Sequence, residues 1–342
     1  MKDANVGGRV PAEVSAKNKA GQPGSIDMHT HWEPEAYHKA LARLRVVGGV
    51  GSPDPLSFDL DRRRKWMDEH GVKMHVLTLS GRMPWHWVPQ DVGATLAQII
   101  NDANIEAHKA FPDRFVGGVE VSIRSPELAL KELNRVAGKP GMRAVHLPTS
   151  IEGKDYLFEA RYAPFLARCE ELRYPLLFHP LDWDENIYGG GEQSRLATPL
   201  AKAANIHNTL GFPFEYATVA TKFIITGTLD KYPKLDILWP HMGGIFPYIA
   251  GRIDHGLWMR KFKLKHPFRY YLRRFHYDTL TYYPETMRFL INLVGSDRVV
   301  IGTDNFAIMD VEWPNAMVEQ MNLPAADRDR ILWGNAVRLL RL

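Results

Sequence analysis

The sequence predicts an α/β chain folded as one closed (β/α)8 barrel, on three observations. Short apolar segments alternate with amphipathic ones, the pattern of a mainly parallel sheet wrapped by helices. At 342 residues the chain exceeds the roughly 250 that such a barrel needs, leaving room for long loops. Histidines and an aspartate also stand at the ends of several apolar segments, where barrel loops build active sites.

Residues 1–24 are polar and glycine-containing, lack the apolar centre of a signal peptide, and are expected to form a loose arm. A single catalytic domain is expected over 25–342. Strands are expected at Ser25–Thr30, Lys73–Leu79, Phe115–Val121, Arg143–Leu147, Pro175–His179, Asp236–Pro240, Phe275–Asp278 and Val299–Gly302. Between them, helical periodicity marks Leu60–His70, Ala94–Phe111, Pro126–Val136, Ala163–Leu172, Phe214–Leu229, Ile245–Lys261 and Pro284–Val294. No internal repeat or interdomain linker interrupts the series.

Three connections are longer than a barrel requires, and each follows a strand end: Trp32–Asp59, Ser80–Asp91 and Leu181–Pro213. In the second, Trp85, His86 and Trp87 either wall a pocket for a flat substrate or pack the loop onto the rim. Gly189-Gly190-Gly191 in the third lacks the strand-to-helix context of a phosphate cradle and reads as a flexible turn.

Composition narrows the class. The chain is 45% hydrophobic and 24% charged, an ordinary globular balance, with 43 basic against 39 acidic residues and a net charge of +4. The basic runs Arg62-Arg63-Arg64-Lys65 and Arg269 to Arg274 are interleaved with apolar residues at helical spacing, and read as solvated helix faces. No nucleic-acid motif accompanies them. No apolar run approaches the roughly 18 residues of a membrane span. The single cysteine, Cys169, excludes an intramolecular disulfide and a cysteine-rich metal site; it reads as a small core residue. A cytoplasmic protein acting on a small anionic substrate is the expectation.

The chemistry starts at Ser25-Ile-Asp-Met-His29-Thr-His31-Trp32. Strand side chains alternate faces, so His29 and His31 leave one face roughly 7 Å apart, close enough to share a divalent ion. His179 ends Pro175-Leu-Leu-Phe-His179-Pro, His241 ends Asp236-Ile-Leu-Trp-Pro-His241-Met-Gly-Gly, and Asp304 follows Val299-Val-Ile-Gly-Thr. In a closed barrel the first and eighth strands are neighbours, so His29, His31 and Asp304 converge, with His179 approaching across the mouth. Three imidazoles and a carboxylate suit zinc, with manganese, iron or cobalt as alternatives. Histidine is the side chain best suited to proton transfer near neutral pH, so His241 fits a general acid or base, or a further ligand. Asp304 reads as ligand and proton carrier, or as a cap on a following helix.

These segments resemble the amidohydrolase superfamily, in the branch of aminocarboxymuconate-semialdehyde decarboxylase and the metal-dependent aromatic-acid decarboxylases. The resemblance runs from about Ile26 to the C-terminus. It is carried by Ile26-Asp-Met-His-Thr-His31, the Leu-Phe-His-Pro around His179, His241-Met-Gly-Gly-Ile-Phe-Pro-Tyr-Ile-Ala-Gly-Arg252, Ile301-Gly-Thr-Asp304 and Gly334-Asn-Ala-Val-Arg-Leu-Leu340. It implies a distorted (β/α)8 TIM barrel of the metal-dependent hydrolase type. By resemblance one ion, zinc or manganese, is held by His29, His31, His179 and Asp304, with His241 as the catalytic histidine. Arg260 matches an arginine that the decarboxylase donates across a homodimer interface to a substrate carboxylate; taken alone, it reads equally as an exposed helix-end arginine. Three departures point away from the muconate substrate itself. Val46–Phe58 holds no match to the decarboxylase's other carboxylate-binding arginine, Asn305-Phe306-Ala307 follows Asp304, and the first ligand is histidine where several aromatic-acid decarboxylases have glutamate.

The leading expectation is therefore metal-dependent, non-oxidative decarboxylation of an aromatic or unsaturated carboxylic acid. Hydrolysis of a C–N, C–O or C–C bond, or hydration, would use the same residues. A metal-stabilised binding protein without turnover is the reading from another class.

Overall fold

The computed structural model describes residues 24–48, 54–151, 156–181, 206–307 and 309–342. The expected arm, apart from Gly24, and the triple-glycine turn lie outside these residues.

Eight parallel strands follow one another in both sequence and space: β1 Ser25–His31, β2 Val72–Thr78, β3 Phe115–Val119, β4 Met142–Pro148, β5 Leu176–His179, β6 Ile237–Trp239, β7 Phe275–Asp278 and β8 Val299–Val300. Parallel bridges from Asp27 to Ile301 and from Thr30 to Asn305 join the last strand to the first. The sheet therefore closes as a (β/α)8 barrel. Its lumen is filled by Ile26, Met28, Met74, Val76, Val116, Ala144, Leu177, Leu238 and Val300, side chains drawn from seven of the strands. A larger apolar layer, with Val145, Phe165, Leu176, Phe223, Trp239, Leu290 and Val299 among its members, seals the sheet to the helices.

The helices are α1 Glu35–Arg43, α2 Leu60–Glu69, α3 Gln90–Ala110, α4 Pro126–Val136, α5 Ala163–Leu172, α6 Phe212–Ile225, α7 Thr228–Lys231, α8 Phe246–Met259, α9 Phe268–Leu272, α10 Pro284–Val294, α11 Ala316–Gln320, α12 Ala325–Asp329 and α13 Asn335–Leu340. Local chemistry starts several of them. Asp59 caps α2 by accepting from the amides of Asp61 and Arg62, and Ser125 caps α4 from Leu128 with Pro126 in the first turn. The one long helix expected over Phe214–Leu229 is instead α6 and α7, divided at Gly227, whose φ of +70° is a left-handed value that breaks the helical run. Helix α1 falls inside the expected first long loop. Its Tyr37, Ala40 and Leu41 are buried at i, i+3 and i+4, an amphipathic signal shorter than the others. Among the described residues no helix is long and apolar enough to cross a membrane.

The run Arg62–Lys65 is not wholly a solvated face, because Arg63 is fully buried. Its Nε donates to the carbonyl of Leu56 at 3.0 Å, Nη2 donates to the carbonyl of His31, and its guanidinium lies 4.9 Å from the centre of the Phe306 ring. Burial lowers its pKa to about 9. Helical spacing alone does not reveal this, since the carbonyls that hold Arg63 come from other segments. Arg63→Ala leaves those carbonyls without their donor in a dry site, and is expected to cost about 3 kcal/mol in urea unfolding. In the second loop the packing alternative holds for Trp85. It is fully buried with Tyr37, Leu79, Leu96 and Ile100, and Trp87 donates to the Val47 carbonyl.

Candidate metal centre

All five residues singled out at strand ends meet at one place, the C-terminal mouth of the barrel. Strand β1 carries His29 and His31, whose ring centroids are 5.3 Å apart. His179 is the last residue of β5, with its ring 5.3 Å from His29 and 4.7 Å from His31. His241 follows β6 after Pro240, at the head of a run of left-handed φ values: 50° at His241, 57° at Met242, 74° at Gly243 and 58° at Gly244. That run explains the His-Met-Gly-Gly sequence, since glycine takes such values without strain while His241 and Met242 do not. It turns the His241 ring to within 5.2 Å of His29. Asp304, also left-handed at φ 62°, follows β8, and among the described residues it caps no helix.

The Asp304 carboxylate is the centre of the group. Its Oδ1 lies 3.2 Å from His29 Nε2, 2.7 Å from His31 Nε2 and 3.6 Å from His179 Nε2, and its Oδ2 lies 3.7 Å from His241 Nε2. One ligand-capable atom from each of His29, His179, His241 and Asp304 lies within 4.8 Å of all the others. His31 stands outside that mutual foursome but makes the shortest approach to Asp304.

The donor set fits a divalent cation. Each strand-borne imidazole spends Nδ1 on an oxygen acceptor: His29 on Asp278 at 2.8 Å, His31 on the Leu79 carbonyl at 3.0 Å and His179 on the Pro180 carbonyl at 2.7 Å. With the proton on Nδ1, each presents Nε2 inward, the arrangement that outer-shell acceptors impose on metal-binding histidines. His29 Nε2 is buried with no hydrogen-bond partner. Burial also drives His31 and His179 downward in pKa, keeping their rings neutral and their lone pairs available. His29 behaves differently. Burial alone would lower it, but the carboxylates of Asp304 and Asp278 outweigh that and raise it to about 10. Asp304 itself, although burial pushes it up, is pulled well below the carboxylate range by the surrounding imidazoles, His29 first. The buried Asp304 carboxylate is thus held as an anion, a charge that a divalent ion would offset.

Two residues that the sequence reading did not single out complete this shell. Asp278 ends β7, accepting His29 Nδ1 on Oδ2 and the Met242 amide on Oδ1 at 2.8 Å, so one carboxylate ties β1 to the His241 turn. An aspartate at the end of a barrel strand was the available signal. Tyr216, on α6, places its hydroxyl 2.6 Å from His241 Nδ1; nothing in its local sequence marks it. Close packing makes room for the first of these: a Cβ on Gly302 would come within 2.6 Å of the Asp278 Cβ and 2.9 Å of the His29 Cβ. Beneath, Asp27 accepts from the Thr303 hydroxyl at 2.5 Å and from the His29 amide at 3.1 Å, stapling β1 to the segment that carries Asp304. Burial raises the Asp27 carboxyl to about 7.

Arg260 is not brought to this cluster by its own chain. It is the residue after α8 and is exposed.

A closed (β/α)8 barrel thus carries at its strand ends a histidine–aspartate cluster whose donors suit a divalent ion. The amidohydrolase family model matches residues 26–342, and the chain belongs to that family. It is 30% identical to a gamma-resorcylate decarboxylase of Polaromonas, over 82% of this chain and 87% of the relative. It is 26% identical to the 2-amino-3-carboxymuconate-6-semialdehyde decarboxylase of Dictyostelium discoideum, over 93% of this chain and 91% of that one. A crystal structure of a dihydroxybenzoic acid decarboxylase from Polaromonas, with manganese and the inhibitor 2-nitroresorcinol bound, matches with a TM-score of 0.73 at 26% identity, covering 94% of this chain and 98% of that chain.

Proposed function

We propose that this chain is a metal-dependent, non-oxidative carboxy-lyase that removes carbon dioxide from a small aromatic or unsaturated carboxylic acid. The observation that carries the reading is the convergence of four inward-facing imidazoles on the buried Asp304 carboxylate. That both named relatives are decarboxylases favours this reaction over the hydrolysis or hydration that the same residues could perform.

In this reading His29, His31, His179 and Asp304 hold one divalent ion. Zinc suits the three-nitrogen, one-oxygen donor set, with manganese as the alternative. When bound, the ion polarises the substrate's carboxylate or a neighbouring oxygen. The chain's own groups do the rest. His241, oriented through Tyr216, manages the proton on a substrate hydroxyl or on water. Asp304, an anion at rest, takes up that proton from His241, whose Nε2 lies 3.7 Å from its Oδ2, and passes it to the carbon that loses carbon dioxide, so that one C–C bond breaks, one C–H bond forms and the carboxylate is restored. The basic balance of the chain suits an anionic substrate. The single cysteine, buried, suits a reducing cytoplasm.

We assign substrate-carboxylate binding to Arg260, donated by a second copy of the chain in a homodimer. Tyr248, Trp258 and Met259 on the same helix are 80%, 69% and 63% exposed, an apolar stripe suited to a partner copy beside the arginine. Losing a bidentate charged contact there, Arg260→Ala is expected to raise KM about 10- to 100-fold. Metal content should not change, and light scattering should report a dimer; a monomeric active enzyme removes Arg260 from the site.

The activity is tested by incubating metal-loaded protein with gamma-resorcylate and related hydroxybenzoates and with the aminocarboxymuconate semialdehyde. Carbon dioxide release that stops on chelation and returns with zinc or manganese supports the reading. Cleaved or hydrated products without carbon dioxide replace it.

A further inference from the structure

A buried polar relay connects the helical layer to His31 and has no part in the chemistry above. It starts at Asn101 on α3, which is fully buried and grips the backbone of Glu120 on both sides. Asn101 Oδ1 accepts from the Glu120 amide at 2.8 Å, and Asn101 Nδ2 donates to the Glu120 carbonyl at 2.8 Å and to Glu132 of α4 at 2.7 Å. Glu120, just beyond β3 and fully buried, is thereby fixed in place. A single oxygen of its side chain, Oε1, then accepts twice: from the Leu79 amide at 2.7 Å and from His146 Nδ1 at 2.8 Å. Leu79 is the residue whose carbonyl receives His31 Nδ1. One carboxylate oxygen thus fixes the residue that sets the tautomer and tilt of His31. His146, on β4, shares a small cavity with His29, His179 and Asp278, its ring 6.2 Å from that of His179.

We propose that Glu120 is a positioning residue of the metal centre, acting through Leu79 on His31 and through His146 on the floor beside His179. The physical case is accessibility. Leu79's amide, Glu120 and His146 are shut away from solvent, so water cannot replace a bond that is removed, and the segment carrying the Leu79 carbonyl must shift to find another partner. Partners one step behind a ligand act on affinity in this way; Leu79 is that partner of His31, and Glu120 acts by fixing Leu79. The inference rests on His31 belonging to the metal shell, not on the identity of the reaction.

The test is metal affinity, measured by competition with a fluorescent zinc chelator in the absence of substrate, together with the visible absorption of the cobalt-loaded protein. Glu120→Ala is expected to weaken zinc binding about 10- to 100-fold and to shift the cobalt bands. Glu120→Gln keeps Oε1 as the double acceptor and is expected to stay within about threefold of the parent with unshifted bands. Leu290→Ala, which opens the core at α10 away from the relay, controls for loss of stability alone and is expected to leave both readouts unchanged. Should Glu120→Ala not fold, Glu120→Asp withdraws the oxygen by one methylene and is scored in the same way. An alanine or aspartate variant that binds zinc like the parent overturns the proposal. So does a glutamine variant as impaired as alanine, or an equal loss in Leu290→Ala. Failure to release carbon dioxide with zinc affinity behaving as stated would overturn the decarboxylase reading alone.

Discussion

Asp304→Asn is expected to leave a folded barrel with no measurable turnover. All four imidazole Nε2 atoms lie between 2.7 and 3.7 Å from the Asp304 carboxylate, so this one side chain is the shared neighbour of every other group in the cluster. Asparagine keeps its size but removes the charge that attracts a cation and turns one acceptor into a donor facing imidazole nitrogens. Two losses then combine. Metal affinity falls by at least the 10- to 100-fold seen when mere outer-shell partners are lost, and the proton donor to carbon disappears, worth about 10²- to 10⁴-fold by itself. Turnover at saturating metal, beside affinity from chelator competition, separates the two losses. Activity within tenfold of the parent would contradict both roles.

His241→Asn has the second largest expected effect, and it resolves an ambiguity that neither spacing nor distance removes. His241 belongs to the mutual foursome of ligand-capable atoms, yet it hangs from a turn and is more exposed than the strand-borne histidines. If it handles protons, kcat falls about 10²- to 10⁴-fold while bound metal stays at the parental level. If it is a ligand, metal and activity fall together. The first outcome is expected. Tyr216 enters here as the group that orients the ring, 2.6 Å from Nδ1.

The barrel was legible because its signals are local and periodic. Runs such as Phe275–Asp278 and Pro126–Val136 are bounded in the chain as periodicity and capping residues place them. The histidines were legible because a strand end followed by proline or a glycine pair is an unusual setting for imidazole, as at His179-Pro180 and His241-Met-Gly-Gly. What escaped is what depends on partners distant in sequence. Arg63 looked like one of four solvated cations, and only the fold brings the carbonyls of Leu56 and His31 to it. Asp278 is 249 residues from the histidine it orients, and Tyr216 sits on a helix whose own pattern explains it fully as core. Asn101 and Glu120 likewise carry no motif; their importance comes from buried hydrogen bonds that cross from helix to strand to strand. The residues proposed to do chemistry have a sequence signature here, whereas the residues that hold them do not.

The most direct test of the central claim is the metal content of the purified chain beside its His179→Ala variant, by elemental analysis after removal of loosely bound ions. About one zinc or manganese ion per chain is expected in the parent. Loss of that ion is expected in the variant, which deletes an imidazole of the cluster without touching the backbone turns around it. A parent that binds no divalent ion, or a variant that retains it in full, would contradict the claim that this cluster is a metal centre.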